Sequence, residues 1–146
     1  MLAALSVEHR GRLMALAHEV SRPASTRLFE EGERADRFWV IRSGSVALDV
    51  DVPGRGRAVV ETIGAGHLLG WSWLCPPRQW HLGAETRSTV TAWEFDAPAV
   101  RDACAAHPAF GLALVTLVAE TIGERLRATR TRLLDLYGPR EGGPPA

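Results

Sequence analysis

The chain is short of several things, and each shortage argues against a class of function. It has only two cysteines, Cys75 and Cys104, too few for a disulfide framework in a chain of 146 residues. It has no His-x-His pair, so a cupin-type metal centre, the main enzyme possibility on a β-roll, lacks its ligands. No Ser/His/Asp or Cys/His arrangement stands out, and His67 and His81 alone are not enough for one. Neither charge is in excess: 17 basic residues meet 17 acidic ones, whereas nucleic-acid-binding domains usually carry a clear basic surplus. No apolar run is long enough to cross a bilayer. The N-terminus, Met1-Leu-Ala-Ala-Leu-Ser6, goes straight into a charged amphipathic pattern and does not read as a signal peptide. These shortages point to a cytoplasmic protein with neither DNA nor membrane as partner.

What is present suits one globular domain: 46% hydrophobic and 23% charged residues, with enough length for a sizeable core. Residues 6–21 read as a helix. Ser6 is a good N-cap, Glu8 sits in the first turn, and Leu13, Leu16, Ala17 and Val20 recur at helical spacing. Pro23 stops it. His9 and His18 fall among polar neighbours and read as surface residues.

From Arg27 to Phe95 the pattern changes to short strands and turns. Arg27-Leu-Phe29 enters a turn at Glu30-Glu-Gly-Glu33. Phe38-Trp-Val-Ile41 is apolar on both faces, as inside a double-layered sheet. Val46, Leu48, Val50 and Val52 alternate with smaller or acidic residues, which predicts a half-buried strand. Pro53-Gly-Arg-Gly56 turns it into a return strand from Ala58 to Ile63. Leu82–Thr86 and Thr89–Phe95 read as a second hairpin about Arg87-Ser88. Many short strands with glycine-rich turns predict a mainly β fold with flanking helices, a jelly-roll or double-stranded β-helix.

Residues 64–84 break this rhythm. Glycines stand at 64, 66 and 70, Pro76-Pro77 follow, and Trp71, Trp73 and Trp80 are three of the five tryptophans in the chain. Glycine lets backbone approach a ligand, and a short helix after such a turn would aim free amides, here those of residues 71–74, at an anion. Arg78 reads either as an anion ligand or as a solvated loop residue. The tryptophans read either as stacking platforms for a base or as a plug for an empty cavity. Cys75-Pro76 with His81 nearby is also the pattern of a haem-ligating Cys-Pro motif, though one dipeptide is slender support. Cys104, in an alanine-rich stretch, reads as a small core residue.

Asp96 caps a short helix with Pro98 in its first turn, and His107-Pro108 separates it from a long one over 109–137. There Leu112, Val115, Ala119, Ile122, Leu126, Thr129, Leu133 and Leu136 alternate steps of three and four, an a/d heptad seam flanked by charge. A seam that narrow predicts a partner helix, hence a homodimer. Residues 138–146, rich in Gly and Pro, read as a disordered tail beyond a domain of 1–137.

Three motifs together, Phe29-Glu-Glu-Gly-Glu33, Ala35-Asp-Arg-Phe-Trp-Val-Ile-Arg-Ser-Gly-Ser-Val46 and Gly64-Ala-Gly-His-Leu-Leu-Gly70, resemble cyclic nucleotide-binding domains of the catabolite-activator type. The resemblance runs from residue 6 to about 136, and residues 64–84 correspond to the phosphate-binding cassette. It implies a regulatory or sensor domain rather than an enzyme, with cyclic AMP, cyclic GMP or another anion as possible ligand and a protein partner for output. The ligand residues it implies are Gly70, Trp71, Ser72, Trp73, Leu74, Arg78, Trp80 and His81. Ligand-binding members usually read Phe-Gly-Glu at the cassette's start, where the acid accepts from the ribose hydroxyl. Here Leu69-Gly70-Trp71 offers an indole, which only donates. Cyclic AMP is therefore expected to bind weakly or not at all, and Trp71→Glu alone is expected to restore the acceptor and remove the plug. The alternative is a ligand-independent interaction module whose cassette is filled by tryptophan.

Overall fold

A computed structural model describes residues 1–137; the expected tail over 138–146 lies outside them. Ser6 caps helix α1 (Val7–Met14), its side chain accepting from the amide of His9. The helix ends there, short of the expected 6–21, and the chain turns at Ala15–Leu16 into strand β1 (Ala17–Arg22). Seven more strands follow: β2 (Arg27–Phe29), β3 (Arg37–Ser43), β4 (Val46–Val52), β5 (Gly56–Ile63), β6 (Leu68–Leu69), β7 (Gly83–Thr86) and β8 (Val90–Asp96). Pairing explains the early stop of α1. β1 lies antiparallel along the whole of β8, from Ala17 opposite Phe95 to Arg22 opposite Val90. A longer helix would leave that edge of β8 with its backbone donors and acceptors unpaired. Ala17 and Val20, which fit a helical period, fit this strand equally well, since both are half-buried while His18 and Glu19 face solvent. His9 is not a plain surface residue either. It is half-buried with its ring 6.1 Å from that of Phe110.

The strands form two four-stranded antiparallel sheets, ordered β1-β8-β3-β6 and β2-β7-β4-β5. This is the expected jelly-roll: two sheets face to face, with Phe38, Ile41, Val46, Leu48 and Phe95 among the buried residues between them. Two local expectations change. β7 and β8 are consecutive but are not a hairpin. β7 pairs with β2 and β4, β8 with β1 and β3, so the Arg87–Thr89 link crosses from one sheet to the other. And β4 is buried on both faces over Val46–Asp49, not half-buried, because it is an inner strand between β7 and β5.

The acidic member of that buried run, Asp49, is 6% exposed and holds Arg27 from β2 through two bonds, 2.5 and 3.1 Å. Arg27 also donates to Glu30 at 2.7 Å. These contacts raise the guanidinium's affinity for its proton, the Asp49 hydrogen bond most of all, and the hydrogen bond from Arg27 holds the Glu30 carboxyl below its ordinary range. Glu30's contribution is therefore complete at neutral pH and is lost as pH falls through that lowered value. Asp49→Ala leaves Arg27 with Glu30 and, at 3.9 Å, Glu85, and is expected to cost about 2–3 kcal/mol, below the range for a fully buried pair because Arg27 keeps some solvent and other carboxylates. Urea denaturation of both proteins measures it.

Asp96 caps helix α2 (Ala97–Ala106), accepting from the amide of Ala99. Cys104, on this helix, is half-buried, and burial pushes its thiol up. Helix α3 (Pro108–Tyr137) then runs back along the roll. Its first turns pack inward through Phe110, Leu114, Leu117 and Val118, a stripe that the heptad reading passed over. The heptad positions face elsewhere: Leu112, Leu126, Leu133 and Leu136 are 72%, 68%, 51% and 69% exposed. Ile122 is the exception, half-buried against the protomer's own core. The helix thus carries one apolar stripe for its own roll and a second that no described residue covers. No helix among the described residues is long and apolar enough to cross a membrane.

Candidate functional site

β6 pairs with β3, Trp39 opposite Leu69, and delivers the chain to Gly70 at φ +95°. A Cβ there would lie 2.7 Å from the Trp80 ring. Glycine is required at this point both for the left-handed backbone and for the indole that rests on it. The expected helix after Gly70 does not form. Residues 71–78 are successive turns, with Leu74 N bonded to Trp71 O at 3.2 Å and Arg78 N to Cys75 O at 3.0 Å. Pro76 and Pro77 have no N–H to continue a helix, and the Gly70 carbonyl is taken by the Trp73 indole at 3.0 Å. The amides of 71–74 are therefore not gathered at a helix N-terminus, and that expected anion cradle is absent.

The tryptophans occupy different depths. Trp73 is fully buried, stacked on Phe38 at 4.2 Å, which stacks in turn on Phe95 at 4.7 Å. Trp80 is buried over Phe29 at 3.9 Å. Trp71 is half-buried, its ring 5.0 Å from that of His81. Ser72 Oγ lies 3.0 Å from His81 Nδ1.

Between these groups a cavity of about 30 Å³ remains. Its polar lining is Ser72, His81 and Arg125; Phe29, Leu48, Gly70, Trp71, Trp80 and Leu82 supply the rest. Of the residues expected at the site, Gly70, Trp71, Ser72, Trp80 and His81 line it together, while Trp73 lies in the core and Leu74 packs against it.

Arg78 does not line the cavity. Backbone bonds pin its segment against the turn between β2 and β3: Ala35 N to Arg78 O at 2.7 Å, Gly32 N to Trp80 O and Trp80 N to Glu33 O, both at 2.8 Å. That places Arg78 outside the roll. Cys75 is exposed and does not line the cavity either. Among the described residues no group of three or more His, Cys, Asp or Glu side chains is placed to hold a metal ion.

The cation on the cavity comes instead from α3. Arg125 has a side chain 15% exposed, donates to the carbonyl of Leu68, and lies 3.6 Å from Glu61 Oε1. Burial lowers its proton affinity, and Glu61 opposes that. Sequence reasoning counted Arg125 among the solvated flanks of the heptad. No local signal separates it from Arg127 or Arg130, because its environment is made by β5 and β6, more than fifty residues away in the chain. Phe29, Leu48 and Leu82 were missed as lining residues for a similar reason.

Residues 19–107 match the family described as cyclic nucleotide-binding domain. A CRP-like cAMP-activated global transcriptional regulator of Mycobacterium tuberculosis is 29% identical over 114 residues, 78% of this chain and 49% of the relative. The chain thus spans about half the length of the curated relatives it matches. Its fold is similar to that of a cyclic nucleotide-binding domain from Methylobacillus flagellatus, at TM-score 0.83 and 19% identity over 93% of this chain and 76% of that one. It is also similar to the N-terminal domain of a transcriptional regulator from Streptomyces coelicolor, at TM-score 0.69 and 23% identity over 97% of this chain and 93% of that one. With the match covering more than half of its length and the roll built as the motifs implied, this chain belongs to the cyclic nucleotide-binding domain family.

Proposed function

We propose that this protein is a non-enzymatic regulatory module that pairs through α3, signals to a protein partner in the cytoplasm, and works without a cyclic nucleotide. The observation that carries the reading is the size of the cavity. Sites for ligands of nucleotide size enclose roughly 300–1,000 Å³. A cavity of about 30 Å³ takes a water or two, and neither a nucleotide nor a haem. Trp71 supports the same reading, since an indole N–H offers no acceptor to a ribose hydroxyl. Balanced charge, 17 basic against 17 acidic residues, supports a protein partner over duplex DNA. The exposed leucines of α3 supply the surface for pairing.

A second reading keeps a ligand in the cavity. It is favoured by Arg125, a cation whose other donors remain for a small oxyanion.

Isothermal titration with cyclic AMP and cyclic GMP decides whether a nucleotide enters. No saturable heat is expected, nor the stabilisation of about 2.7 kcal/mol that a ligand brings at a hundred times its dissociation constant. Tight binding that disappears in Arg125→Leu would make the protein a nucleotide sensor and overturn the proposal.

A further inference from the structure

Arg78, excluded from the cavity, is not alone outside it. Arg34 forms a β-bridge with Gln79, beside the bond from Ala35 to Arg78. Arg101, on α2, reaches the same loop from the other side and donates through Nη1 to the Trp73 carbonyl at 2.8 Å. Three arginines from three elements thus meet on the outer face of the turn that follows Gly70. Burial is the larger cause of Arg101's lowered proton affinity; Arg78 and Arg34 add to it, and Asp102 and Asp96 oppose it.

Their surroundings differ from those of six arginines elsewhere in the protein. Arg22, Arg27, Arg37, Arg42, Arg57 and Arg125 each pair with a carboxylate. Among the described residues, Arg34, Arg78 and Arg101 pair with none. The Nε of Arg78 is buried and has no hydrogen-bond partner among the described residues. Overall charge is balanced, so this concentration of unpaired cations is a local arrangement and not the overflow of a basic chain.

Buried donors without acceptors are rare and costly. Like charges held together repel unless an anion bridges them. Guanidinium forks match the oxygens of a phosphate.

We propose that Arg34, Arg78 and Arg101 form an external binding site for a phosphate group, separate from the cavity inside the roll. None of the three forms an ion pair among the described residues, although Asp96 and Asp102 also act on Arg101, and a phosphate dianion can accept from more than one guanidinium at once. Arg101, fixed by the Trp73 carbonyl, supplies a positioned donor, and Arg78 supplies the donor that lacks an acceptor. The chemistry is shared by free inorganic phosphate and by a phosphate monoester on a small molecule.

The test is titration calorimetry with inorganic phosphate and, separately, with phenyl phosphate, on the full chain in chloride buffer of moderate ionic strength. One saturable site per chain is expected. Binding of both probes alike supports a site that reads the phosphate alone; tighter binding of phenyl phosphate supports a monoester. In the double variant Arg34→Gln/Arg78→Gln affinity is expected to fall about a hundredfold, roughly tenfold for each charge-assisted contact. Among the described residues neither side chain makes a bond within the fold, and the variant loses a buried unpaired donor and a like-charge contact, so its thermal midpoint without phosphate should not fall. Arg125→Leu is expected to leave phosphate binding as it was, which separates this site from the cavity. The inference is overturned if neither probe saturates, if binding survives the double variant, or if Arg125→Leu abolishes it.

Discussion

Leu126→Glu combined with Leu133→Glu is expected to convert a dimer into a folded monomer. In the protomer these leucines are 68% and 51% exposed and make no part of the buried core. Replacing them should leave the circular dichroism and thermal midpoint of the isolated roll nearly unchanged. In a dimer joined along the heptad seam each would be buried against a partner helix. Burying a leucine contributes about 1.5–3 kcal/mol, so two per chain and two chains remove about 6–12 kcal/mol, and the substitutions add carboxylates facing one another. A micromolar dimer is held by about 8 kcal/mol, which that loss consumes. Ile122, which the heptad offers equally with Leu126, is a poorer choice because it is half-buried on its own roll and its loss would disturb the fold as well. Sedimentation at micromolar concentration reads the result. A monomer for the unmodified chain would sink the pairing.

Trp80→Ala carries the second large expectation, a loss of about 3–5 kcal/mol of stability. The indole is 5% exposed, lies 3.9 Å from the Phe29 ring, and rests on the bare backbone of Gly70. Removing it leaves a hole that Phe29 and Gly70 cannot close. Natural stabilities of about 5–15 kcal/mol make such a loss plain in a urea curve, and a change under about 1 kcal/mol would show that Trp80 is not the keystone it is argued to be.

Trp71→Glu behaves differently. Trp71 is half-buried and packs on His81, so its replacement is expected to cost little. It places a carboxylate beside Ser72 but leaves Trp80 filling the roll. The single change is therefore not expected to admit cyclic AMP, contrary to the expectation from sequence; that requires Trp71→Glu together with Trp80→Ala.

Local pattern determined much of this protein. The apolar run Phe38–Ile41, the alternation after Val46, the turn at Pro53–Gly56 and the caps at Ser6 and Asp96 are each readable because the physics involved is local: strand pleat, turn dihedrals, and a side chain within three residues of an orphan amide. The family motifs lie in the same stretches, and so the roll was legible. Gly70 was legible too, since a glycine-marked turn beside three tryptophans signals close packing.

Only the tertiary structure decided the rest, and the reason is shared. Whether residues 17–22 continue a helix or become β1 depends on the free edge of β8, some seventy residues on. Whether β7 and β8 pair depends on which sheet each finds. Arg78 does not line the cavity because backbone bonds from Gly32, Glu33 and Ala35 pin residues 78–80 outside the roll, and Arg125 lines it because α3 crosses β5 and β6 there. The heptad marked positions that α3 leaves exposed on the protomer, Ile122 excepted, but α3 also needed Phe110, Leu114, Leu117 and Val118 to lie on its own roll. Sequence spacing records what a residue's neighbours along the chain require. Burial, ion pairing and the volume left inside a roll are set by residues far away in the chain.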